Sequence, residues 1–188
     1  DARLPAFLRC ALPFAALNPY TPFQAGDVPP EMFYGRQDKV LELQRADGSC
    51  LVYGGRQLGK SALLRQVQRE FHDSQRNQYA AVQDIKLIGD PATQPNTEII
   101  WRRIRECFKE FGLLPQRITT DKADEIERYV REVMNAKDSG ERRVIILFDE
   151  ADNFLDADAR DNFKVTESLR TLMLDTQRRF KVVFAGLH

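Results

Sequence analysis

The 188-residue chain is 43% hydrophobic and carries 28 Lys+Arg against 28 Asp+Glu, a formal net charge of zero. That length and apolar content suffice for the core of one domain, and the neutral balance gives no support to a nucleic-acid partner, which a strongly basic chain would invite. No stretch reaches the roughly 18 apolar residues of a spanning helix. Cys10, Cys50 and Cys107 lack C-x-x-C spacing, so a disulfide framework and a zinc site are disfavoured and a reducing cytoplasm is favoured.

In chain order, residues 1–30 read as an N-terminal strap ahead of a core domain at 31–188. The apolar stretch 4–17 is interrupted by Pro5, Arg9 and Pro13 and is too short for a secretory leader. Pro19, Pro22, Pro29 and Pro30 make the next segment non-periodic and extended. Residues 36–43 begin an amphipathic helix. Residues 49–53 read as a short buried strand, and 62–71 as a helix with Leu63, Leu64, Val67 and Phe71 on one face.

Between that strand and that helix stands Gly54-Gly55-Arg56-Gln57-Leu58-Gly59-Lys60-Ser61, which fits G-x-x-x-x-G-K-[ST]. Chemistry explains the spacing. Backbone N–H groups and the positive end of the helix dipole make an anion site at the helix start, and Gly54 and Gly59 let the backbone approach closely. Residues Gly54 to Ala62 would therefore wrap the phosphates of a nucleotide. Lys60 would reach the β and γ phosphates and Ser61 would place its hydroxyl on Mg²⁺. Arg56 adds a cation inside the loop, facing either nucleotide, partner or solvent.

Further along, 78–87 reads as a second strand with Asp84 near its end. A loop with Gly89, Pro91 and Pro95 follows. Asn96 or Thr97 then caps a helix carrying Ile99, Ile100, Trp101, Ile104, Cys107, Phe108 and Phe111, ended by Gly112 and Pro115. A helix from Asp121 to about Ala136 is broken by Ser139-Gly140. Residues 144–148 are wholly apolar, as suits a parallel strand buried on both faces, and they close on Asp149 and Glu150. That strand end is where open α/β sheets hold ligands. Asp149 is placed to complete the Mg²⁺ site and Glu150 to act as general base on a water. Asp152 reads as a loop carboxylate or a cap, 153–161 as a polar loop, then a helix through Val165, Leu169, Leu172 and Met173, and a last strand at 181–187. The basic clusters at 102–105, 142–143 and 178–179 read as solvated faces. His72 and His188 are the only imidazoles, so no metal beyond Mg²⁺ is expected.

The alternation of strands and helices predicts an α/β fold with a mainly parallel sheet between two helical layers. With its loop and its Asp149-Glu150 pair, the sequence resembles the P-loop ATPases of the additional-strand catalytic-glutamate group. Within it, the chain is most similar to AAA-related and STAND-type ATPases, including origin-recognition-like members. Residues 31–43 resemble the box that precedes the phosphate loop in that family, which implies that Phe33, Tyr34 and Gly35 line the adenine site. The resemblance further implies a polar γ-phosphate sensor after the last strand, a role that falls to His188, and a C-terminal lid beyond it. The expectation is thus a core without its lid.

Guanine specificity is disfavoured by the lack of an Asn-Lys-x-Asp string, and a nucleotide kinase by the lack of an acceptor site. The string Asp149-Glu150-Ala151-Asp152 spells a helicase motif, but the loop lacks the matching A-x-x-G-x-G-K-T form. The expected function is Mg²⁺-dependent ATP hydrolysis, slow in isolation, in a nucleotide-driven switch or assembly module with a protein partner or self-association. The alternatives are a DNA-transaction ATPase and a scaffold that binds ATP without hydrolysing it.

Overall fold

The computed structural model describes residues 35–55, 58–136 and 139–187. The strap at 1–30, Phe33, Tyr34, Arg56, Gln57 and His188 lie outside the described residues. Helix α1 spans Gln37–Gln44, followed by strand β1 at Leu51–Tyr53 and helix α2 at Lys60–Phe71. A short 3-10 turn at Ser74–Arg76 leads into β2 at Gln78–Asp84. Then come α3 at Ile99–Glu110, α4 at Ala123–Asn135, β3 at Arg143–Asp149, α5 at Asp152–Arg160, α6 at Lys164–Asp175 and β4 at Phe180–Gly186.

The four strands form one parallel sheet in the order β1-β4-β3-β2. Period-2 alternation sends successive side chains of β3 to opposite faces. Val144, Ile146 and Phe148 join a core with Trp101, Ile104 and Phe108 of α3, Ile126 and Val130 of α4, and Leu169 and Leu172 of α6. Ile145 and Leu147 join the other core, with Val40 and Leu43 of α1 and Leu63, Leu64 and Val67 of α2. This is the expected three-layer α/β/α architecture. Trp101 is buried in the first core, as its helical spacing predicts.

Three expectations are corrected. The stretch read as a polar loop at 153–161 is mostly helix α5. Phe154 is fully buried there, and Asp158, also fully buried, accepts from the N–H groups of Val165 (3.0 Å) and Thr166 (2.8 Å) and from the Thr166 hydroxyl (2.6 Å). An acid that reads as solvated is thus the cap of the next helix. The second strand stops at Asp84 instead of running to 87, because Asp84 Oδ1 accepts from the Lys86 N–H and Ile88 turns back onto the Ile85 carbonyl. The basic clusters are not uniformly solvated. Arg105 is buried and donates to the Thr119 carbonyl and Asp121, both at 2.7 Å, and to the Thr120 carbonyl, tying down the loop between α3 and α4. Arg142 donates to the Val133 carbonyl at 2.7 Å, closing the end of α4.

At the foot of the sheet, the C-terminus of α1 is held by two strand cations. Lys181 donates to the carbonyls of Leu43 (3.0 Å) and Arg45 (2.7 Å), and Arg143 to that of Gln44. Cations at a helix C-terminus complement its partial negative charge and satisfy its orphan carbonyls.

Candidate functional site

Because every strand is parallel, all four carboxyl ends lie along one edge of the sheet. β4 sits between β1 and β3, so the loop after β1 and the acids after β3 stand about two strand spacings, or about 10 Å, apart. A ligand bridging them lies over the end of β4, where consecutive connections leave the sheet.

The loop has the geometry its glycines allow. Gly54 takes φ 156° and Gly59 φ 73°, both in the region that favours glycine, and Gly59 is the N-cap of α2. Its carbonyl receives the Leu63 N–H at 2.9 Å, so the helix starts with its free N–H groups at the loop. The Lys60 ammonium folds back over the loop and donates to the carbonyls of Gly54 (2.7 Å) and Gly55 (2.9 Å). Leu58 is exposed, and Ser61 and Ala62, in the first turn of α2, are half-buried.

Asp149 ends β3 half-buried, and Glu150 follows it exposed at φ 54°, a left-handed conformation that costs a side-chain-bearing residue free energy. Local bonds impose that turn. Asp149 Oδ1 accepts from the Glu150 N–H at 3.0 Å, and the Ala151 N–H donates to the Ala185 carbonyl of β4 at 2.9 Å. Asp152, open between loop carboxylate and cap in the sequence, is the first residue of α5, and its Oδ1 accepts from the Leu187 N–H at 2.6 Å. A Cβ on Gly186 would stand 2.8 Å from that oxygen, so a larger residue would push the Asp152 carboxylate aside. The ends of β3 and β4 are therefore locked together.

Ser61, Asp149 and Glu150 line one cavity of about 1020 Å³, together with Asp84 and, from α2, Arg65 and Arg69. Among the described residues, no group of three or more His, Cys, Asp or Glu side chains is arranged to hold a metal ion. A hydroxyl and a carboxylate are nonetheless hard oxygen donors of the kind Mg²⁺ takes when phosphates and water complete its shell. The residues present thus fit Mg²⁺ bound with a phosphate ligand, and do not fit a metal held by protein alone.

A family model described as an AAA domain matches residues 43–188. The chain belongs to the AAA domain family. No curated protein matches it. In this AAA domain the glycine-rich loop follows β1 and the acid pair follows β3, at the same edge of the sheet. The matched range begins inside α1, so Gly35 lies ahead of it; Gly35 is exposed at φ 79° just before α1. Among the described residues no helix is long and apolar enough to cross a membrane.

Asp84 is the site-lining residue that motif reasoning left without a role. It pairs in register with Asp149 on the neighbouring strand, so parallel pairing sets the two carboxylates side by side. The available signal was an acid at the end of a predicted strand.

Proposed function

We propose that this AAA domain binds ATP with Mg²⁺ and hydrolyses it as a nucleotide-dependent switch or assembly module. The observation that carries the reading is the convergence of Ser61, Asp149 and Glu150 on one cavity beside a glycine-shaped helix N-terminus. The amides from Gly54 to Ala62, with Arg56 and Gln57 in the loop, take the phosphates, and Lys60 exchanges its two carbonyl partners for phosphate oxygens. Ser61 and Asp149 hold Mg²⁺, which supplies charge neutralisation on the phosphates. Glu150 orients and deprotonates the attacking water, and its strained backbone fixes where the carboxylate starts. Phe33, Tyr34 and Gly35 are assigned to the adenine and His188 to the γ-phosphate, following the family resemblance. The STAND-type or origin-recognition-like branch, a cytoplasmic setting and a protein partner belong to this proposal as well.

The test is calorimetric titration with ATP and GTP in Mg²⁺, run beside Lys60→Ala, with phosphate release followed in the same samples. Binding selective for ATP and weakened about 100-fold or more in Lys60→Ala is the expected result, since charge-assisted contacts to phosphate are lost. Binding without phosphate release would identify a nucleotide-holding scaffold. Stimulation of release by DNA would move the reading to a DNA-transaction ATPase. No binding of either nucleotide would overturn it.

A further inference from the structure

We propose that Arg36 is a second phosphate-binding cation of this site, reaching the nucleotide phosphates from α1; this rests on the reading of the loop as a nucleotide site. Arg36 is the N-cap residue of α1, with its carbonyl accepting from the N–H groups of Lys39 and Val40, each at 3.1 Å. Its backbone is therefore fixed. The helix behind it is fixed as well: Val40 and Leu43 are buried against α2, and the Gln37 side chain donates to Glu70 at 3.0 Å.

From that anchor the half-buried Arg36 side chain extends to the phosphate loop. Its Nη1 lies 3.7 Å from where a Cβ on Gly59 would stand, and Gly59 is the N-cap of α2. A guanidinium at a helix N-terminus faces the positive end of the helix dipole, an unfavourable place for a cation unless an anion joins it. Among the described residues no carboxylate lies within salt-bridge distance of Arg36, while the neighbouring cations Lys39 and Arg45 pair with Glu42 and Asp47. Arg36, Lys60 and the amides of α2 thus bring three sources of positive potential to one loop. A planar guanidinium suits phosphate through paired N–H donors, where the Lys60 ammonium acts as a point charge.

The same geometry joins α1 to the ligand. Its N-cap residue reaches the phosphate loop, and its last carbonyls are held by Lys181 and Arg143 at the far end of the sheet. Arg36 is accordingly a positioning contact as well as a source of affinity.

The experiment titrates ATP, ADP and inorganic pyrophosphate into the wild-type chain, Arg36→Ala, Arg36→Lys and Lys60→Ala, with each protein's melting temperature recorded without ligand. The expected result is a loss of about 10- to 100-fold in Arg36→Ala for all three ligands, the range for charge-assisted hydrogen bonds. Arg36→Lys should recover part of it, with unliganded melting temperatures that agree. Pyrophosphate decides the role. If ATP binding weakens in Arg36→Ala while pyrophosphate binding does not, Arg36 serves the base or the fold and the proposal is overturned. Equal binding by Arg36→Ala and wild type, with binding lost in Lys60→Ala, overturns Arg36 alone and leaves the nucleotide site standing. A wild-type chain that binds none of the three overturns both.

Discussion

The two ends of the sheet use their charges in opposite ways. At the foot, Lys181 is 1% exposed, yet its ammonium is matched to two carbonyls, and Arg143 closes a third. Burial pushes the Lys181 ammonium below its ordinary range, and the half-buried Arg143 guanidinium moves down for the same reason. At the top, Asp84, Asp149 and Glu150 share an open cavity with Arg65 and Arg69 and, among the described residues, form no salt bridge, nor does Arg36 at its helix N-terminus. The foot has its charges committed to holding α1. The top leaves them free for a ligand. Charged side chains near a sheet end are therefore informative through what they already bind, more than through their number.

If that contrast holds, substitutions at the top should change chemistry without changing stability. The largest effect is expected from Glu150→Gln, which keeps size and removes the base. Phosphate release should fall about 10²- to 10⁴-fold, the usual contribution of general base catalysis, while ATP affinity and melting temperature stay close to wild type. Unchanged turnover would show that the attacking water is handled by another group, and Asp84 beside it would be the next to replace.

The foot should behave in reverse. Lys181→Met keeps the length and apolar stem but leaves the Leu43 carbonyl without its donor and the Arg45 carbonyl with the Gly48 N–H alone. Leaving a buried acceptor unpaired costs about 1–3 kcal/mol, set against the relief of no longer burying an ammonium, for a net loss of about 1 kcal/mol. Urea unfolding measures it. ATP affinity should remain within about twofold, unless α1 carries the coupling drawn through Arg36, in which case the foot variant weakens binding as well.

The same contrast explains how much could be read in advance. The loop and the acid pair are local patterns, each a run of chemistry beside a run of structure, and both fall where their spacing places them. The three layers follow from strand runs apolar on both faces and helices with one apolar stripe. What escaped was non-local. Lys181 meets Leu43 across 138 residues and Arg143 meets Gln44 across 99, and no window of sequence shows either pairing. α5 was hidden by composition. Asn153, Asp156, Asp158 and Asp161 read as a polar loop, while the burial of Phe154 and the cap role of Asp158 exist only once α6 packs against them. Asp84 joins the cavity lining beside Asp149 through strand register, which the order of elements along the chain does not state.

The smallest expected effect tests whether the top of the sheet stores strain. Glu150 holds φ 54°, and a non-glycine residue there costs about 1–2 kcal/mol relative to glycine. Glu150→Gly removes that cost but adds backbone freedom to the unfolded chain, worth about 0.5–1 kcal/mol. The net is a gain of about 0.5–1 kcal/mol, or about 1–4 °C in melting temperature for a chain this long. Turnover should fall as far as in Glu150→Gln. A stabilised, inactive Glu150→Gly would place this residue among those kept for chemistry at the expense of the fold. A destabilised one would mean that the Glu150 side chain contributes more to holding the β3 turn than its exposed position suggests, and the division between foot and top would narrow.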